Sequence, residues 1–120
     1  MDKTPLPKTI GRYEIVREIG RGAMGVVYEG RDLSLMRPVA LKTLLLEPLA
    51  EELREPFEKR FYQEARAAAG LQHPCIVVVY EIGIDAAADA FFITLEYLRG
   101  RTLEDVIAAG PMPWRDALRI

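Results

Sequence analysis

The chain has a single cysteine, Cys75. One cysteine cannot close an internal disulfide, so a reducing compartment is expected and the fold must hold without covalent staples. Cys75 itself reads as a small buried apolar side chain. No apolar run approaches the roughly 20 residues needed to cross a bilayer. The first residues, Met1 to Thr9, are polar, include Pro5 and Pro7, and lack the apolar stretch of a signal peptide. Positive charge is not in surplus: 16 Lys and Arg face 18 Asp and Glu, for a net charge of −2. A nucleic-acid partner is therefore not expected. There is no internal repeat, and no low-complexity tract beyond Ala86, Ala87 and Ala88. These absences point to a cytoplasmic protein, with a membrane anchor beyond residue 120 left open.

What is present is an ordinary soluble balance over 120 residues, with 50% hydrophobic and 28% charged. That length suits one domain of modest core. Residues 1–10 read as a flexible leader. Tyr13 to Ile19 alternates as a strand, with Tyr13, Ile15 and then Arg17 on one face. Val26 to Arg31 and Val39 to Leu45 read as two more strands, completing an antiparallel meander. Glu47 to Leu71 is helical in pattern, with Pro56 splitting off a short piece before a main helix from Glu55 to Ala69. Ile76 to Ile82 and Phe91 to Leu98 read as a fourth and a fifth strand. Leu103 to Ala109 is a short helix, and Trp114 to Ile120 begins another.

Gly20-Arg21-Gly22-Ala23-Met24-Gly25 joins the first two strands. G-x-G-x-x-G alone is a weak signal, and equally describes an ordinary hairpin tip. In a dinucleotide-binding fold a helix follows the third glycine. Here Val26, Val27 and Tyr28 follow, which is strand chemistry, so that fold is excluded. The Walker pattern is absent as well. What remains is a hairpin whose backbone N–H groups can approach phosphate oxygens.

In Val39-Ala40-Leu41-Lys42, alternation places Ala40 and Lys42 on one face. A lysine within so apolar a strand needs a partner or a route to solvent. On the main helix, Phe57, Phe61, Ala65, Ala68 and Leu71 fall within an arc of roughly 120°. Glu64 falls inside that arc, so it is expected to turn inward and pair with Lys42.

The ordered set G-x-G-x-x-G-x-V, V-A-L-K, a helix glutamate and then Leu71-Gln72-His73-Pro74-x-Ile76-Val77 resembles the small lobe of eukaryotic-type protein kinases. The phrase Gly20 to Tyr28 looks most like the bacterial serine/threonine kinases. The resemblance implies an α+β fold: a five-stranded antiparallel sheet with one main helix over residues 11–98, then the hinge exit and the first helices of a large lobe over 99–120. It implies transfer of the ATP γ-phosphate to Ser or Thr hydroxyls of proteins, with Mg2+. Gly20, Gly22 and Gly25 would shape the loop over the triphosphate. Ile19, Val27 and Ala40 would cover adenine. Lys42 would hold the phosphates and Glu64 would orient Lys42. Leu95 matches the residue at the back of the pocket, and Glu96 and Leu98 match the hinge. Met24 would shield the phosphates, and His73 and Pro74 would shape the turn after the helix. A homodimer of the full-length protein is also open.

The chain departs from the pattern in places. Arg99 to Thr102 offers no acidic ribose contact. Nothing matches H-R-D, D-F-G or A-P-E, so the catalytic base and the metal ligands are expected beyond the chain end. The 120 residues alone are therefore expected to bind ATP weakly and to be inactive, with Val106, Ile107, Trp114 and Leu118 left uncovered. The alternative is a kinase-like regulatory module that transfers no phosphate.

Overall fold

The computed structural model describes residues 6–22, 25–46 and 49–119. Six antiparallel strands form one sheet in the order β1-β2-β3-β4-β6-β5. They are β1 (Thr9–Ile10), β2 (Tyr13–Arg21), β3 (Gly25–Asp32), β4 (Arg37–Leu45), β5 (Val79–Asp85) and β6 (Ala90–Glu96). One long helix, α1 (Glu51–Ala69), precedes β5, and two short ones, α2 (Leu103–Ala108) and α3 (Trp114–Ala117), follow β6. Among the described residues no helix is long and apolar enough to cross a membrane.

The sheet has six strands where the sequence suggested five. The additional one, β1, comes from the end of the expected leader. Thr9 and Ile10 pair with Glu14 and Tyr13, and Ile10 is buried in the core. A branched apolar side chain immediately before a turn had enough surface to bury, and this overrode the polar look of the segment.

The meander formed as expected, but β2 is not regular. Its register against β3 shifts between Ile15 and Arg17, and again between Glu18 and Gly20. Each shift leaves one extra residue on β2, first Val16 and then Ile19. Such bulges bend a strand and re-aim its side chains. Strict alternation puts Arg17 beside Tyr13 and Ile15; the first bulge instead turns it to the opposite face, against Glu29.

One face of the sheet is closed by the curl of β1 and β2. It buries Tyr13, Val26, Tyr28, Val39, Leu41 and Phe92 together with Ile10. Leu41 and Val39 are fully buried. The polar groups of Tyr13, Thr94 and Asp32 on this side are paired, whereas Arg37 Nε is buried without a hydrogen-bond partner among the described residues. The Tyr13 hydroxyl bonds to Glu81 and lies 3.3 Å from the Thr94 hydroxyl. The buried Asp32 carboxylate accepts the Ser34 and Leu35 N–H groups and faces Arg12 at 3.3 Å. Burial pushes the Asp32 carboxyl up, but those two N–H donors and Arg12 outweigh it and hold it below its ordinary value. Burial, and then the bond to Glu81, pushes the Tyr13 phenol up.

The other face carries α1. Phe57, Phe61 and Tyr62 all lie against Phe91, with Phe61 stacked at 4.9 Å between ring centroids. Leu44 and Leu46 of the β4 end complete this cluster. The helix runs unbroken from Glu51 through Pro56, without the expected split. The missing N–H frees only the Glu52 carbonyl, on the exposed side. Arg54 secures the first turns: its guanidinium donates to the Leu46 carbonyl at 3.2 Å and to Asp89 at 3.1 Å.

The turn after α1 is shaped by His73, whose Nδ1 accepts the Cys75 N–H at 3.0 Å. Cys75 is exposed, not buried. The turn faces it outward, so its size and polarity are not used for packing. The exposure expected at the chain end is observed for Ile107, Trp114 and Leu118, while Val106 is half-buried.

Candidate functional site: a cleft between sheet and hinge

The site follows from three rungs of the sheet on the helix-bearing face. The first places Gly25, Leu44 and Phe91 side by side; the second Gly20, Val27, Lys42 and Ile93; the third Arg17, Glu29, Ala40 and Leu95. The first rung lies under α1. The third opens into a cleft of about 730 Å³, lined by Ile19, Val27, Ala40, Leu95, Glu96 and Leu98 among others. That volume suits a small-molecule ligand. Lys42 stands between helix and cleft.

The sequence-expected residues sort as follows. Ile19 is the extra residue of the second β2 bulge, and this aims it into the cleft. Val27, Ala40 and Leu95 form an apolar floor and wall. Glu96 ends β6, and residues 97–99 join neither strand nor helix. The backbone polar groups of Leu98 thus stay outside any ladder, beside the cleft. The Glu96 carboxylate is occupied: it accepts the Val78 N–H at 3.1 Å. Ala40 to Leu98 is therefore assembled as one wall.

The glycines divide into two kinds. A Cβ on Gly20 or Gly22 would meet nothing within 4 Å, so these two leave open space above the face. A Cβ on Gly25 would lie 1.8 Å from the Thr43 carbonyl oxygen. Gly25 is required by the close approach of β3 to β4. The Thr43 hydroxyl donates to the Val26 carbonyl at 2.8 Å and fastens the base of the hairpin. The hairpin closes through the Gly22 N–H, which donates to the Gly25 carbonyl at 2.9 Å. Met24 lies outside the described residues.

The expected Lys42–Glu64 ion pair is not formed. Lys42 is exposed although β4 is a central strand, and it makes no ion pair among the described residues. Glu64 is also exposed and accepts from Arg60 Nε at 3.0 Å. The reason lies in which part of the helix stripe is buried. At about 100° per residue, Phe57, Phe61, Arg54 and Ala65 span roughly 80°, and Phe61 and Ala65 are the buried ones. Tyr62 extends the packed surface on the Ala65 side. Glu64 falls just outside the Phe57 edge of this arc. Leu71, which widened the expected stripe toward Glu64, is exposed, as is Ala68. Phe57, Phe61 and Leu44, with Arg60 and Glu64, surround a cavity of about 290 Å³ beside the helix.

A cluster missed by the sequence reading ties the lid strand to the hinge. Arg17 Nε donates to Glu29 at 2.8 Å, and its terminal nitrogen donates to the Tyr97 hydroxyl at 2.8 Å. These bonds, Glu29 first, raise the Arg17 pKa. No pattern in the sequence marked the β2 bulge that brings Arg17 there. Among the described residues no group of three or more His, Cys, Asp or Glu converges as metal ligands would.

A curled antiparallel sheet, one packed helix, a glycine hairpin and an apolar cleft ending at an extended hinge define the small lobe of a protein kinase. The family described as protein kinase domain matches residues 13–119, and the chain belongs to it. It is 40% identical over 111 residues to the serine/threonine-protein kinase PrkC of Bacillus subtilis, covering 92% of this chain and 16% of that protein. It is 40% identical over 121 residues to PknB of Mycobacterium leprae, covering 98% of this chain and 19% of that protein. The crystal structure of the Mycobacterium tuberculosis PknI kinase domain superposes with a TM-score of 0.79 at 28% identity, covering 96% of this chain and 46% of that one. The chain thus spans under half of that kinase domain and under a fifth of these two curated relatives.

Proposed function

We propose that the chain is the ATP-binding lobe of a serine/threonine protein kinase, acting on protein hydroxyls in the complete protein. The observation that carries this is the continuous wall from Ala40 to Leu98 with Lys42 one rung away on the same face. It supports adenine at the apolar end and phosphates toward Gly20 and Gly22. ATP, when bound, supplies the phosphoryl group. Ile19, Val27 and Ala40 would cover the base, and the backbone of Glu96 and Leu98 would hydrogen-bond its edge. Leu95 would limit depth. The open space at Gly20 and Gly22 would let main-chain N–H groups reach phosphate oxygens. Lys42 would neutralise and orient them. Glu64 would orient Lys42, which requires α1 to turn its Phe57 edge toward the sheet. The Arg60–Glu64 bond does not prevent this, because exposed ion pairs hold little.

A regulatory module without transferase activity is the weaker reading, since the relatives that match nearly the whole chain carry the names of serine/threonine kinases. The deciding experiment is Lys42→Met in the complete protein. Phosphoryl transfer should fall on the order of a hundredfold or more, with circular dichroism and the thermal midpoint preserved. Undiminished transfer would remove the role given to Lys42.

A further inference from the structure

Three arginines line the cleft at its hinge end: Arg17, Arg99 and Arg101. Arg17 is matched by Glu29. Arg99 and Arg101 have no carboxylate at ion-pair distance among the described residues. The one acidic side chain lining the cleft, Glu96, is engaged with the Val78 N–H. Among the described residues, then, two positive charges on the rim have no ion-pair partner, in a chain whose net charge is −2. Their placement is built into the backbone. Gly100 between them has φ of +140°, a conformation that disfavours any side chain. The Arg99 guanidinium lies 5.6 Å from the Tyr97 ring centroid, and Tyr97 is in turn held by Arg17.

The position of this charge says what it can meet. Phosphates seated toward Gly20, Gly22 and Lys42 would lie beyond the Val27 end of the cleft, one rung from Ala40. The Arg17–Glu29–Tyr97 cluster marks the hinge end. From Glu29 to Gly25 is four residues of β3, or about 13 Å at roughly 3.3 Å per residue. An extended polypeptide whose hydroxyl reached the lid tip would bring side chains three to five residues away to the rim. Resting on the kinase reading above, we propose that Arg99 and Arg101 select protein substrates with acidic side chains three to five residues from the phosphoacceptor.

The test uses the complete enzyme and threonine peptides in a neutral background. One set varies positions three to five before the threonine, and another varies those after it. Each position carries Asp, Lys or Ala. The quantity read is the ratio of kcat/KM for Asp over Lys peptides, in which any change in folded fraction cancels. The unmodified enzyme should favour Asp on the order of tenfold in one set, and the ratio should shrink as salt rises. The Arg99→Glu/Arg101→Glu variant should invert it. A ratio near one in the unmodified enzyme, or a ratio kept by the variant, overturns the proposal. Absence of transfer to every peptide, and to the enzyme itself, would remove the kinase reading beneath it.

Discussion

The two faces of the sheet are held in different ways. The closed face buries Tyr13, Val39, Leu41, Phe92 and Thr94 almost completely and pairs their polar atoms. The helix-bearing face is less deeply buried: Leu46, Phe61 and Phe91 of its cluster are buried, Leu44, Leu49, Phe57, Tyr62, Ile82 and Ile93 are half-buried, and Arg54 holds the start of α1. Beyond Ala65 the helix is exposed, and Glu64 turns to Arg60. One face is thus a finished core. The other is a surface on which a helix can shift. The residues proposed to handle phosphate lie where these two regimes meet: Lys42 on the rigid strand, Glu64 on the less constrained helix.

The sharpest way to break this contrast is to truncate one buried side chain on each face. Leu41→Ala should lower global stability by about 2–5 kcal/mol, because the fully buried site cannot collapse around the void. Phe61→Ala should act locally. It should abolish hydrogen-exchange protection in α1 while the β2, β3 and β4 amides lose less than in Leu41→Ala. Equal loss across sheet and helix in both variants would show a single cooperative unit and end the distinction.

A smaller effect should appear on acidification, and it should belong to the closed face. Asp32 titrates below its ordinary value of 3.8 in the folded chain. Its contribution is therefore fully present above that value and is lost as pH falls from it through the lower folded value. Urea midpoints should drop as pH falls below about 4, and Asp32→Asn should flatten that drop. The same slope in both proteins would mean that other carboxylates carry the acid limb. Tyr13, shifted upward by burial, works at the opposite end: its contribution is lost as pH rises past 10.

The same contrast explains what could be read from the sequence. β3 and β4 were legible because alternation there coincides with burial, and β6 because it is a short apolar run buried on both faces. The order of glycine loop, V-A-L-K and hinge was enough to assemble the cleft. The β2 bulges were not legible, since Val16 and Ile19 have no chemistry that sets them apart from regular strand residues. Hence Arg17 was assigned to the wrong face and its clamp on Tyr97 was missed. The Lys42–Glu64 contact failed for a different reason. Helical periodicity gives the angle of a side chain about its own axis. It does not give the rotation of the helix against its neighbour, which Phe57, Phe61, Tyr62 and Arg54 decide by packing.

The finest test concerns that rotation. Arg60 and Glu64 are one turn apart with most of each side chain in solvent, 78% and 68% exposed. Such a pair contributes about 0.2–0.5 kcal/mol, enough to change a population by up to roughly twofold. Arg60→Gln should therefore release Glu64 without moving the aromatic contacts, and raise by that small factor the share of molecules in which it meets Lys42. The 15N shift of the Lys42 ammonium reports the contact directly. It should move in Arg60→Gln and return in Arg60→Gln/Glu64→Gln. An ammonium indifferent to both changes would mean that the helix does not sample the paired rotation, and that its position on Phe91 is as fixed as the sheet beneath it.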